Sequence, residues 1–176
     1  MSPPPDHASL FKAWLEEHRG IVVKVTRSFA PAPADAADLQ QEMLLQLWTS
    51  LASYAGQAKP TTWIYRVCLN TALTWRRGTA RRERHIEPGA DITRLAAEAG
   101  SPADRAGERE LLDKLYATIH ALPMFDRALV LLALDGLAYR EIAEITGLTE
   151  NHVGVSLTRA RQRLAELMKG VTHELE

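Results

Sequence analysis

Apolar positions recur at helical spacing over most of the chain. Leu10, Phe11, Trp14, Leu15, Ile21, Val22, Val25 and Phe29 fall at three- and four-residue steps, which predicts a helix over residues 8–29 with a bend at Gly20. Pro31 and Pro33 break it, because proline cannot donate to the helix ladder and restrains the residue before it. Asp35 then stands at an N-cap position, and Asp38 falls in the first turn of a second helix, where the helix dipole favours negative charge. There Leu39, Met43, Leu47 and Leu51 form one apolar stripe, widened by Leu44, Leu45 and Trp48. Residues 53–59 form a polar loop. A third helix, from 61 to about 77, carries Trp63, Ile64, Val67, Leu69, Leu73 and Trp75, so much of its circumference is apolar and buried.

The pattern then lapses. Residues 78–109 hold Gly78, Gly89, Gly100, Gly107, Pro88 and Pro102 without a sustained period, the signature of a linker, with a short helix around 92–99. Periodicity returns over 110–121 through Leu111, Leu112, Leu115, Tyr116 and Ile119. Pro123 starts the next helix and Gly136 ends it; two more are predicted at about 139–146 and 150–168. The fold class is all-α: two small helical domains, 8–78 and 110–170, joined by a flexible acidic linker over 79–109.

Composition narrows the function. The 176 residues are 46% hydrophobic and 24% charged, as in an ordinary globular protein, and only 6% aromatic. The opening residues show no basic and apolar leader. The longest apolar run, 128–134, is far short of the ~20 residues that span a bilayer, so a cytoplasmic protein without membrane insertion is expected. Cys68 stands alone, excluding a disulfide framework and a cysteine-rich zinc module. His7, His18, His85, His120, His152 and His173 are scattered without metal-ligand spacing, and no phosphate loop or nucleophile elbow is present. No catalytic residue, metal or cofactor is expected, and an enzyme is disfavoured.

The formal charge of −1 conceals opposed blocks: residues 59–85 hold seven Lys/Arg against one Asp/Glu, whereas 86–153 hold six against twelve. Screening over ~8 Å makes such blocks act locally. On charge alone they are solvated faces.

The most specific local signal runs from Ala138 to Leu164. A short helix with Ile142 and Ala143 precedes Gly147, Leu148, a capping Thr149 and a second helix with Val153 and Leu157. Small Ala143 permits a close crossing, Gly147 permits positive φ, and Leu148, Val153 and Leu157 fill the angle. That is the spacing of a DNA-binding helix-turn-helix, with a generic helical hairpin as the bland alternative. Arg159, Arg161 and Arg163 spread over a broad face and suit phosphates. Thr149, Glu150, Asn151, His152, Ser156 and Arg159 are the groove-facing candidates.

Two stretches now resemble one family. Asp35-Ala-Ala-Asp38-Leu-Gln-Gln41-Glu42-Met-Leu-Leu-Gln-Leu-Trp48, followed by Thr62-Trp63-Ile-Tyr65-Arg66-Val-Cys-Leu-Asn70, resembles the second region of bacterial RNA polymerase sigma factors. Leu122-Pro123 through Gly136-Leu137-Ala138-Tyr139-Arg-Glu141-Ile142-Ala143 to Arg161 is similar to their fourth region. The short length and absence of a third domain match the extracytoplasmic-function (ECF, group 4) type of the sigma-70 family.

The resemblance implies a non-enzymatic initiation factor with core RNA polymerase and promoter DNA as partners. Asp38, Gln41 and Glu42, with apolar help from Leu45 and Trp48, would dock on the β′ clamp helices, while the fourth region meets the β flap. Arg66, Asn70, Trp75, Arg76 and Arg77, with Arg81, Arg82 and Arg84 on phosphates, would recognise and melt the −10 element. The helix-turn-helix would bind the −35 element. An anti-sigma factor that clamps the two domains closed is a further expected partner, and the acidic linker would thread polymerase channels used by RNA. Plain core packing is the competing reading of Trp63, Trp75 and Cys68. Three departures stand out. Pro60 and Thr61 sit where the family often has an aromatic and a polar or basic residue, Gly154 and Ser156 replace residues that are often basic, and Ala138 stands where Ser commonly caps, at ~1 kcal/mol. The rival functions are a helix-turn-helix regulator acting without polymerase and a sigma-like interaction module that binds no promoter.

Overall fold

The computed structural model describes residues 6–83 and 103–173, with side chains described for 6–79 and 110–169. The described residues form seven helices: α1 His7–Phe29, α2 Pro33–Leu51, α3 Pro60–Glu83, α4 Ala103–Ala121, α5 Met124–Leu134, α6 Tyr139–Thr146 and α7 Glu150–His173. No strand occurs among them, so the all-α class holds.

The first lobe is a three-helix bundle of α1, α2 and α3, packed pairwise. Asp6 caps α1, its carboxylate accepting the backbone N–H of Ala8 at 2.6 Å and of Ser9 at 2.9 Å. α1 runs unbroken through Gly20, which is exposed, so the glycine does not end the helix. α2 begins earlier than expected. Its N-cap is Ala32, and Pro33 occupies the first turn, where its missing N–H leaves no bond unmade. Asp35 is therefore a first-turn residue favoured by the helix dipole, not the cap. Leu39, Met43, Leu47 and Leu51 are all buried. α3 extends past position 77, through Gly78, to Glu83. The short helix expected around 92–99 lies outside the described residues.

The second lobe packs α4 and α5 against α7, with α6 bridging to α7. α5 is buried from Asp126 to Leu132, Asp126 being held by Arg163 of α7. Gly147 ends α6 at φ +76° and its N–H reaches the Ala143 carbonyl at 2.9 Å, so the left-handed corner falls where the sequence predicts it. Val153 and Leu157 of α7 are fully buried against this corner.

The lobes are not beads on a string. Phe29 and Ala30 at the end of α1 share one continuous core with Leu129 and Leu132 of α5. α1 packs on α4 and α5, and α3 packs on α6. Arg127 fastens the seam: its guanidinium donates to the Ser28 carbonyl at 3.2 Å and the Leu122 carbonyl at 3.0 Å, and lies 5.3 Å from the Phe29 ring centre. Burying this cation is costly, and three backbone carbonyls (of Ser28, Leu122 and His120) plus an aromatic face offset much of the cost.

Candidate functional site

α2 presents two faces. Asp38, Gln41, Leu45 and Trp48 fall at steps of three and four, opposite the buried stripe, and all four are exposed. Leu45 is 52% and Trp48 41% exposed, uncommon for large apolar side chains on a helix carrying acids and amides. Glu42 is half-buried beside this face and accepts a hydrogen bond from Gln46 at 3.0 Å. The five sequence-predicted docking residues thus share one side of α2, with Glu42 at its margin.

On α3, Asn70 and Trp75 line an open groove of about 540 Å³ together with Thr71, Thr74 and Gly78. Glu42 and Gln46 of α2 form its other wall. An asparagine in an otherwise apolar helix is explained by this exposure. Trp75 is half-buried against the core, so packing accounts for part of its surface. Arg77 is exposed, whereas Arg76 is half-buried and close enough to the second lobe that, behind burial, its charge adds to the lowering of the Arg127 pKa and, behind burial and Arg127, to that of His120. Arg66 faces α6 and donates to the Glu144 carbonyl at that helix's C-terminal end. Arg81 and Arg82 belong to α3, but their side chains, and all of Arg84, lie outside the described residues. Trp63 joins Trp14 and Tyr54 in an edge-on aromatic cluster with centroids 4.9–5.7 Å apart, so packing explains it. Burial pushes the Cys68 thiol up to about 12, which leaves it an inert core residue.

In the helix-turn-helix, Thr149 Oγ1 accepts the His152 N–H at 3.3 Å and starts α7. Thr149, Glu150, Asn151, His152 and Arg159 are exposed and Ser156 half-exposed, so this face stands open to solvent. Arg161 is exposed, while Arg163 is drawn back into its ion pair with the buried Asp126. Ala138 has no capping side chain, yet Glu141 accepts its N–H at 3.1 Å, which keeps half of a capping box. Gly154 has a steric reason: a Cβ there would meet the Tyr139 ring at 3.3 Å.

Sequence reasoning missed the polar ties between the lobes. The Asp135 carboxylate accepts from Lys24 Nζ of α1 and from the Tyr65 hydroxyl of α3. Lys59 Nζ reaches Glu141 at 3.0 Å, and that hydrogen bond, ahead of the one from Ala138 N–H, holds the Glu141 carboxyl below its ordinary range. Arg27 donates to Asp113 at 2.6 Å and stacks 4.2 Å from the Tyr116 ring centre. These partners are more than 50 residues apart in the chain, so no periodicity could pair them.

Among the described residues no helix is long and apolar enough to cross a membrane. An open helix-turn-helix on one helical lobe, beside a second lobe whose α2 exposes an acid, an amide, a leucine and a tryptophan on one side, defines a two-lobed helix-turn-helix protein. Comparison with known proteins makes the class specific. The family models described as Sigma-70 region 2 and Sigma-70, region 4 match residues 14–82 and 112–164. The chain is 30% identical over 141 residues to the ECF RNA polymerase sigma-E factor of Haemophilus influenzae, covering 74% of this chain and 72% of that protein. It is 29% identical over 165 residues to the sigma-E factor of Escherichia coli K12, covering 88% and 84%. Its fold is similar to that of the sigma factor RpoE from Bartonella quintana, solved in complex with the anti-sigma factor NepR. That match has a TM-score of 0.69 at 22% identity and covers 90% of this chain and 96% of that one. The chain belongs to the ECF sigma factors of RNA polymerase.

Proposed function

We propose that this chain binds core RNA polymerase through the exposed side of α2, recognises and melts the −10 element with α3, and binds the −35 element with α7. The observation that carries the reading is the α2 face, where Asp38, Gln41, Leu45 and Trp48 are solvent-exposed although two of them are large and apolar. Acids and amides around an apolar centre suit a basic, amphipathic coil such as the β′ clamp helices. The β flap takes the second lobe. Asn70 and Trp75 border an open groove in which an unstacked base gains stacking and hydrogen bonds that offset its extrusion. Arg76, Arg77, Arg81 and Arg82 continue α3 as a phosphate track, and Arg159 and Arg161 serve the same role on α7.

The closed arrangement fits this mechanism as its resting form. Arg66 is engaged with α6 and Lys59 with Glu141, so part of the −10 side is occupied by the other lobe. Two promoter elements spaced along a duplex require the lobes to part, and polymerase docking supplies the work. An anti-sigma partner would hold them together; the similar Bartonella sigma factor was solved in complex with one. The chain acts by binding, without catalysis or a cofactor, in the cytoplasm. In reconstituted transcription, reversing charge at Asp38 and Glu42 together should abolish initiation; intact initiation refutes the docking face. Replacing Arg76 and Arg77 by Ala should impair open-complex formation while sparing polymerase binding, and unchanged opening removes them from the −10 contact.

A further inference from the structure

We infer that His7 and Phe11, in the first turns of α1, are positioning residues for the polymerase-docking tryptophan, Trp48. The inference rests on the reading that the exposed side of α2 docks core polymerase. A tryptophan 41% exposed on an open helix face has several rotamers available, and docking must select one of them. Here the selection is made in advance. The His7 ring stands against the indole with centroids 4.9 Å apart at 88°, and the Phe11 ring at 5.2 Å and 84°. Both rings are edge-on, the arrangement that aromatic quadrupoles favour. Spaced by four residues, they lie on one side of α1 and form a bracket.

The bracket is itself fixed. His7 Nε2 lies 3.1 Å from the Trp48 carbonyl and, carrying its proton, donates to it, tying the start of α1 to the last turn of α2 across 41 residues. The Asp6 carboxylate, accepting from Ala8 and Ser9, locks the turn that carries His7. On its far side Phe11 borders a small apolar cavity of about 20 Å³ with Trp14, Leu47 and Trp63, so it bridges the core and the docking face. His7 and Phe11 precede residue 14, where the match to region 2 begins, so nothing in that likeness assigns them a role. Their chemistry does. They contribute little exposed surface of their own and act by ordering Trp48 before the partner arrives.

The test is a double-mutant cycle on the full chain, titrating core RNA polymerase and following thermal unfolding in parallel. Trp48→Ala should weaken polymerase binding at least tenfold. His7→Ala and Phe11→Ala should each weaken it about 2–12-fold, the equivalent of ordering one side chain on association. Phe11→Tyr, which keeps the ring edge, should restore the native affinity. In the Trp48→Ala background, His7→Ala and Phe11→Ala should have no further effect. His7→Ala is the control for folding, because it leaves the core intact. Equal losses with and without Trp48, or no loss from His7→Ala and Phe11→Ala, overturn the inference while leaving the docking face standing. Undiminished binding by Trp48→Ala overturns the docking reading and the bracket with it.

Discussion

Replacing Asp135 by Ala removes a side chain that ties both α1 and α3 to the second lobe. Its carboxylate accepts from Lys24 Nζ and from the Tyr65 hydroxyl. The lysine is 40% exposed, so its share is that of a screened surface pair, about 0.2–1 kcal/mol. Tyr65 is only 2% exposed; losing the acceptor strands a buried hydroxyl at about 1–3 kcal/mol. Together these shift the equilibrium between closed and parted lobes by about 1–4 kcal/mol, roughly tenfold at the low end and several hundredfold at the high end. Tyr65→Phe removes the donor but leaves a partly solvated carboxylate still paired with Lys24, so it should shift the equilibrium less. The assay is a distance distribution between probes on cysteines placed at the exposed Ala37 and Gln162. The native Cys68 does not compete for label, because burial holds its thiol protonated. The expected result is a longer-distance population that grows from native to Tyr65→Phe to Asp135→Ala. An unchanged distribution in Asp135→Ala, or a larger effect from Tyr65→Phe, refutes the reasoning.

Further outcomes follow from single contacts. Gly147→Ala forces a β-carbon into the left-handed corner and should cost about 1–2 kcal/mol in thermal or denaturant unfolding; an unchanged midpoint contradicts the corner. Burial, then the charge of Arg127, lowers the pKa of His120 from its ordinary 6.5, so the stability gained by keeping it neutral is complete above that value and lost as pH falls below it. The melting temperature should therefore fall between pH 7 and 5, and His120→Gln should flatten that fall; an identical slope in both proteins counts against this. Arg163→Ala strands the buried Asp126 and should lower stability by about 1–3 kcal/mol, discounted for the exposed arginine, whereas Arg161→Ala should leave stability unchanged and reduce the salt slope of DNA binding by about one. Equal stability losses from the two would remove the distinction.

Local features were legible in the sequence because each rests on neighbours in the chain. The stripe Leu39, Met43, Leu47 and Leu51, the Gly147 corner and the Thr149 cap are three- and four-residue relationships, and all three stand in the structure. The misplaced start of α2 shows the limit of local reasoning. Asp35 was a chemically good cap, but proline's fixed φ two residues earlier is already preorganised for the first turn and won. Gly20 interrupts the apolar pattern, yet α1 continues through it, because burial of Ile21, Val22 and Val25 offsets the roughly 1 kcal/mol that a glycine costs in a helix interior. Of the candidate faces, exposure separated what composition could not: Trp48 faces solvent while Trp63, of the same residue type, completes an aromatic cluster. The ties through Asp135, Glu141 and Arg127 were out of reach, because a charge in a sequence carries no record of its partner. Arg163 resembled its neighbours on paper, and only the second lobe's packing assigned it to Asp126.

Co-elution of the full chain with bacterial core RNA polymerase, followed by run-off transcription on genomic fragments, tests the central claim most directly. The account predicts a stable complex and discrete new transcription starts that depend on the added chain. A complex without new starts would contradict promoter selection and leave a sigma-like interaction module. No complex would contradict polymerase docking altogether and reduce the helix-turn-helix to an ordinary DNA-binding element.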